Sequence, residues 1–303
     1  MKLEGLHHVT MITEDAPRCV EFYADVLGLR LVKKTVNFDA PDVYHLYFGD
    51  ETGAPGSILT WFEFPDAARG QAGAGMIHRL ELGVGGAASL DFWEGRLDAL
   101  GYEARREGDE LRFADYDGLD FALVVADGSN PPLRAAHPEI PAEHAIAGIE
   151  GARAYARGAG GRARQALLDE VLGFAGGDDY RVAGERRGFR WSYDPPPEAP
   201  GLQGAGSVHH IAFACIDEDQ LEWQRLVAEA GAAVTEVLDR EYFTSIYFRE
   251  PEGVLFEIAT LSPGFAVDEA PEHLGERLCL PPQYEANRAR LEELLTPLPI
   301  PHR

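Results

Sequence analysis

The sequence predicts an α+β protein assembled from four repeats of one unit, each a strand, a helix and several further strands. Three observations lead there. Residues 6–11, LHHVTM, and 208–213, VHHIAF, are near-copies lying at opposite ends of the chain, and both alternate apolar and polar residues as half-buried strands do. Each is followed by a run with apolar residues at helical spacing. Two weaker copies of the same succession lie between them, and such self-similarity marks a repeat architecture.

The units are read in order. In the first, LHHVTM is followed by PRCVEFYADVLGLRLV (17–32), helical in spacing, with Gly28 as a stop. The second runs from MIHRLEL (76–82) through the helical LDFWEGRLDALGYEA (90–104) to the strand-like LDFALVV (119–125). The third starts near GIEGARAYA (148–156), continues through RARQALLDEVLGFA (162–175) and ends in FRWSYD (189–194). In the fourth, VHHIAF precedes DQLEWQRLVAEAGAAVTEV (219–237), stopped by Gly231. The stretch DGSNPPLRAAHPEIPAE (127–143), rich in proline and polar residues, reads as a linker dividing the units two and two. The expected organisation is an N-terminal domain over 1–130, a C-terminal domain over 144–262 and a tail over 263–303. In that tail ANRARLEELL is a short amphipathic helix bracketed by prolines, read as a packing appendage.

Composition bounds the function. The chain has 303 residues, room for about two domains. Its formal net charge of -24 repels phosphate backbones and anionic lipid surfaces, which argues against nucleic acid as a partner. The only lysines are Lys2, Lys33 and Lys34, a bias that fits a GC-rich genome or a high-salt interior. Cys19, Cys215 and Cys279 form no C-x-x-C pair, and their odd number fits a reducing compartment. No apolar leader and no membrane-spanning stretch is visible, so a cytoplasmic protein is expected.

Comparing the units singles out three residues. The first-strand position of His8 is held by His210 in the fourth unit, by Arg79 in the second, and by no histidine in the third. In the last strands, PEGVLFEIA (251–259) aligns with YDGLDFALV (116–124), PGSILTWFE (55–63) and RGFRWSY (187–193), so Glu257 stands opposite Ala122, Thr60 and Ser192. A carboxylate inside an apolar strand is costly to desolvate unless paired or bound to a cation. Two imidazoles and one carboxylate suit non-haem Fe(II) with open positions, and Zn(II) and Mn(II) accept the same donors. A lone strand histidine is more often a satisfied core residue; the doubled His-His pair together with Glu257 reverses that balance.

At these residues the chain resembles the vicinal-oxygen-chelate superfamily, and more narrowly the dioxygenases that cleave para-hydroquinone rings. The matching stretches are GLHHVTMITEDAPRCVEFYADVLGLRLVKKTVNFD, YHLYFGDETGAPGSILTWFEFP, IPAEHAIAGIEG, SVHHIAFA, DREYFTSIYFREPEGVLFEIAT and LGERLCLPPQYEANR, with the terminal PHR. They span nearly the whole chain. The resemblance implies four βαβββ modules forming two tandem domains with cupped mixed sheets. It implies Fe(II), with Mn(II) as an alternative, held by His8, His210 and Glu257, and O2 as co-substrate. It further implies that His7, Thr10, His209, Arg240 and Tyr247 surround the metal set, Tyr247 and Arg240 orienting substrate and His209 or His7 moving a proton. The partner is then a small aromatic diol, and the fold allows a homo-oligomer. Strict alternation puts Thr10 on the face of His8 but His7 and His209 on the opposite face, unless a bulge intervenes.

Tyr44, Tyr47, Trp61, Phe62, Tyr242 and Phe243 could line a flat pocket, although ordinary sheet core suits most of them equally. Two other functions stay open. A glyoxalase-type isomerase or lyase would need a second carboxylate by the metal, where this chain has Thr60, and Glu63 lies on the other strand face. A metal-free aromatic-binding resistance protein would have no use for His8, His210 and Glu257.

Overall fold

The computed structural model describes every residue except 159, 160, 178, 185, 302 and 303, so the last two residues of the PHR terminus lie outside the described residues. The first module comprises β1 (Leu6–Thr13), helix α1 (Ala16–Val20, continuing as a π-helical turn Glu21–Val26), β2 (Arg30–Asn37), β3 (Ala40–Gly49) and β4 (Ile58–Glu63). The second comprises β5 (Ile77–Val84), α2 (Ala87–Ala99), β6 (Ala104–Glu107), β7 (Glu110–Ala114) and β8 (Asp120–Val125). The third has β9 (Ile149–Tyr155), α3 (Gly161–Arg164, continuing as a π-helical turn Gln165–Val171), β10 (Asp179–Ala183) and β11 (Gly188–Asp194). In place of a third strand after its helix, it shows an isolated bridge between Ala175 and Arg181. The fourth has β12 (Val208–Cys215), α4 (Gln220–Glu229), β13 (Leu238–Asp239), β14 (Thr244–Arg249) and β15 (Leu255–Thr260).

The helices are shorter than their periodicity suggests. Arg30 and Leu31, within the helical run 17–32, already belong to β2, and Ala104 opens β6. Each helix stops where a glycine leaves the helical region: Gly28, Gly101, Gly173 and Gly231 have φ of 70°, 81°, 73° and 92°. These are left-handed values that end a helix with little strain only at glycine. Beyond them, apolar alternation of a strand mimics the far end of a helical stripe.

The strands form two curled mixed sheets, of eight strands in the order β13-β14-β15-β12-β1-β4-β3-β2 and of seven in the order β10-β11-β9-β5-β8-β7-β6. The first and fourth modules therefore share one sheet, and the second and third share the other. The segments 1–130 and 144–262 each contribute strands to both sheets, so the proline-rich linker separates stretches of chain rather than sheets. Antiparallel pairing of β1 with β12 joins the two ends of the chain, and β4 and β15 flank that pair in parallel.

One face of the eight-stranded sheet packs on the main core, where Val9, Trp61, Ile211 and Phe256 meet Tyr23 and Phe174. The other face carries a smaller cluster, including Tyr47, Ile58, Ala212 and Phe243, closed by Phe265 and Leu274 of the tail. The tail's helix α5 (Arg288–Leu294) is short, as expected, and the rest of the tail runs along β2. Cys279 N donates to the Lys34 carbonyl at 2.9 Å, and the Tyr284 hydroxyl donates to the Phe38 carbonyl at 2.8 Å.

A buried lysine pins this tail. Lys33 Nζ, fully buried, lies 2.5 Å from Asp268 Oδ1, 2.5 Å from Glu269 Oε2 and 3.5 Å from Cys279 Sγ. The ammonium is the cation of that acidic cluster. Removing one partner of a buried ion pair leaves its carboxylates uncompensated. Lys33→Met should lower stability by about 3 kcal/mol, read as a lower midpoint of urea unfolding with unchanged slope.

Candidate metal centre and pocket

The seam between β1 and β12 is irregular in two places, and both irregularities fall on a histidine. Leu6 pairs with Phe213 and His8 with Ala212, so β1 carries one extra residue there, His7. Thr10 pairs with His210 and Met11 with Val208, so β12 carries one extra residue, His209. A bulge breaks the alternation of faces. It lets each His-His pair turn both rings toward one another, with Nδ1 atoms 2.9 Å apart for His7 and His8 and 2.7 Å apart for His209 and His210.

The remaining ring nitrogens converge. His8 Nε2 and His210 Nε2 are 3.4 Å apart, and Glu257 Oε2 lies 3.3 Å from the first and 2.8 Å from the second. Glu257 reaches this point because β15 runs parallel to β12 with Glu257 beside Ala212. Its residue is fully buried, yet Oε2 has no aligned hydrogen bond among the described residues. Three donors aimed at one point, rather than at one another, fit a divalent cation with nitrogen and oxygen ligands. The other carboxylate oxygen accepts from the Ser245 hydroxyl.

The histidine tautomers follow. An Nε2 lone pair free for a metal would require the proton on Nδ1, and His8 Nδ1–H would then donate to His7 Nδ1 across 2.9 Å. The His7 ring is then hydrogen-bonded to the backbone of Thr260. Burial, then the neighbouring His8, hold His7 down to about 3; burial, then His210, hold His209 down to about 4. Burial pushes the Glu257 carboxyl up, but the facing His8 and His210 outweigh it and keep it well below the ordinary range. The cluster therefore favours an ionised Glu257 carboxylate beside His7 and His209 rings that burial keeps neutral.

His8 and His210 line a cavity of about 430 Å³, with Glu257 fully buried behind them. Thr10, on the same face as His8, lines the cavity with a buried hydroxyl that has no hydrogen-bond partner among the described residues. On one wall Tyr247, paired with Glu257 across β14 and β15, accepts a hydrogen bond from Arg240 Nε at 3.2 Å. Burial, then the Glu257 charge, push the Tyr247 phenol well above its usual range. Arg240 is aimed inward by a tight turn in which its N–H donates to the Phe243 carbonyl at 2.9 Å and Glu241 adopts φ 65°. All eight residues singled out from the sequence thus lie at this one place. Of the six aromatics, Tyr47, Phe62 and Phe243 line the cavity, whereas Tyr44 and Trp61 belong to the main core. Tyr242 packs in the smaller cluster beneath.

Glu63 is not part of the site: its carboxylate accepts from the backbone of Ala16 and Tyr44. Ser245 and His45 are site residues that sequence comparison missed. His45 Nε2 lies 2.5 Å from Thr60 Oγ1, and its Nδ1 lies 2.9 Å from the Tyr47 hydroxyl. The only available signal was that His45 and Tyr47 share a strand parity.

The register also explains why the second sheet holds no such centre among the described residues. Thr10 with Thr60, Glu81 with Ala122, Arg153 with Ser192 and Ala212 with Glu257 occupy equivalent pairs, and Glu257 alone brings a carboxylate to the last-strand position. The β5–β9 seam keeps both bulges, with His78 and Glu150 as the extra residues. Its first-strand ligand positions are instead held by Arg79 and Gly151. Arg79 pairs with Asp120 at 2.8 Å and Arg153 with Asp194 at 2.6 Å.

Fold and donor set together define a protein of four strand-helix-strand modules with a candidate metal centre. A model of the Glyoxalase/Bleomycin resistance protein/Dioxygenase superfamily matches residues 5–84 and 76–258, and the chain belongs to that superfamily. It is 42% identical over 310 residues, 99% of this chain and 98% of the relative, to the "Putative ring-cleaving dioxygenase MhqO" of Bacillus subtilis. It is 33% identical over 316 residues, 96% of this chain and 95% of the relative, to the "Chlorohydroquinone/hydroquinone 1,2-dioxygenase" of Sphingobium indicum. A crystal structure titled as a "putative dioxygenase" from Bacillus subtilis superposes with a TM-score of 0.88 at 39% identity, covering 98% of both chains. No helix among the described residues is long and apolar enough to cross a membrane.

The buried imidazoles carry a pH signature. Between an unfolded-state pKa of about 6.5 and the depressed folded values, the unfolded chain binds protons that the native site refuses. Stability of the metal-free protein is then full above that range and falls as pH is lowered toward 4, by about 1 kcal/mol per pH unit for each such histidine. Urea unfolding between pH 7 and pH 4 should show this slope, and His7→Gln should reduce it.

Proposed function

We propose that this protein is an Fe(II)-dependent, extradiol-type dioxygenase that opens para-hydroquinone rings, substituted or chlorinated rings included. The observation that carries the reading is the convergence of His8, His210 and Glu257 at the base of a cavity with aromatic walls. The relatives named as ring-cleaving dioxygenases, one of them a chlorohydroquinone/hydroquinone 1,2-dioxygenase, support this reaction and substrate class. Thr60, at the position equivalent to Glu257, supplies a hydroxyl and not the second carboxylate of a glyoxalase-type centre.

His8, His210 and Glu257 would hold the iron, which would supply Lewis acidity toward a bound hydroxyl and redox chemistry with O2; Mn(II) would suit the same donors. The protein's own groups do the rest. His7 and His209 fix the planes and tautomers of the ligand imidazoles. Phe62 and Phe243 flank a flat ring and exclude water. The Arg240 guanidinium, tied to Tyr247, stabilises negative charge that develops on the substrate oxygen. Thr10 offers a spare hydroxyl at the same face. His209 borders the cavity, its Nδ1 engaged with His210 Nδ1 at 2.7 Å. The product is a ring-opened acid semialdehyde containing both atoms of O2.

The test is O2 uptake by protein loaded with Fe(II) under anaerobic conditions, then given hydroquinone, methylhydroquinone, chlorohydroquinone or catechol. One O2 consumed per ring lost, fastest with the para-diols, is expected. No uptake with any diol by protein shown to hold iron sinks the reading. His8→Ala, His210→Ala and Glu257→Ala should each abolish metal retention and turnover, with metal content measured independently of activity.

A further inference from the structure

We propose that Tyr47, held in place by His45 and Thr60, receives the second hydroxyl of the ring and so selects para-diols over ortho-diols. This rests on the ring-cleavage reading above and names the part of the cavity that reads the substrate. Registers place the groups on one face: Thr10 beside Thr60 across β1 and β4, and Thr60 beside Tyr47 across β4 and β3. Adjacent strands are about 4.8 Å apart, which sets Tyr47 roughly 10 Å across the face from the strand bearing His8. Arg240 and Tyr247 stand on the opposite side of Glu257. A ring with one hydroxyl at the metal donors and lying toward β3 carries a para oxygen to Tyr47. An ortho oxygen stays beside the first, at the metal.

The chemistry of the three residues favours a hydroxyl there. His45 has both nitrogens engaged, Nδ1 with the Tyr47 hydroxyl and Nε2 with Thr60 Oγ1. Burial, then the nearby His8, hold His45 well below its usual range, so it is neutral with one N–H. Whichever way that proton lies, the Tyr47 oxygen keeps capacity beyond its bond to His45 among the described residues, its lone pairs if it donates and its proton if it accepts. A ring hydroxyl, both donor and acceptor, satisfies either case; a methyl group satisfies neither. A second observation points the same way. Between Tyr47 and the His8–His210 pair, Thr10 holds a fully buried hydroxyl without a partner among the described residues, so this track across the face is polar and unspent. A wall serving only to exclude water would not bear the cost of a buried imidazole.

The experiment is a fluorescence titration of Mn(II)-loaded protein without O2, using hydroquinone, 4-methylphenol and catechol, beside Tyr47→Phe, His45→Leu and His45→Gln. Manganese content is measured for each variant. Tyr47→Phe should weaken hydroquinone about tenfold, one lost hydrogen bond, and leave 4-methylphenol, catechol and metal content unchanged. His45→Leu should weaken hydroquinone similarly, while His45→Gln, which can still bond the Tyr47 hydroxyl, should recover part of the loss. With Fe(II) and O2, the Tyr47→Phe effect should appear in KM before kcat. Equal weakening of all three rings, or none for hydroquinone, overturns the assignment. Wild-type protein that binds hydroquinone in this selective way yet consumes no O2 would instead overturn ring cleavage while the subsite stands.

Discussion

The antiparallel contact of β1 with β12 is the constraint on which the rest depends. It closes the eight-stranded sheet between the first and last modules and brings together two histidines two hundred and two positions apart. Its two bulges are as consequential as its pairing. In a regular ladder His7 and His8 would face opposite sides of the sheet. With one residue added on each strand, each ligand imidazole acquires a second imidazole to fix its proton, leaving the inner nitrogens bare. The parallel neighbour β15 completes the set, because its register, not its sequence, brings Glu257 beside Ala212.

The two sheets show what the scaffold provides and what particular residues add. Both seams carry paired bulges, so the bulge belongs to the repeat. Only one sheet gained donors at the first-strand positions together with a carboxylate on a last strand. The other filled the equivalent face with mutually satisfied ion pairs, Arg190 with Glu81 at 3.0 Å among them. Such pairs are adequate to cover a face but offer no unfilled valence for a ligand. The tail adds a further restraint on the site side, where Lys33 ties its acidic residues to β2 beneath Tyr47.

Much of this was legible in the sequence because repeats supply their own control. His8, His210 and Glu257 emerged by comparing equivalent positions, where Arg79, Ala122, Thr60 and Ser192 stand instead. Helix stops were legible as glycines. Which modules share a sheet was not: four similar units can pair in more than one way, and the edge complementarity that chooses among them has no local mark. The proline-rich stretch at 127–143 shows where the chain turns from one pair of units to the next, not which strands bond. His45 and Ser245 were hidden for a related reason. Each matters through a partner on the adjacent strand, Thr60 and Glu257, and a linear reading shows no link between them.

The pairing of first strand with last has a consequence for how the protein is made. During synthesis β1 emerges early and waits, its long edge unpaired, until residues 208–260 have left the ribosome. Two of the three donors belong to that final stretch. An unfinished or prematurely ended chain therefore carries His8 alone, with neither His210 nor Glu257 opposite it. On the proposed reading, assembly order alone would confine the metal to chains that have completed their last module.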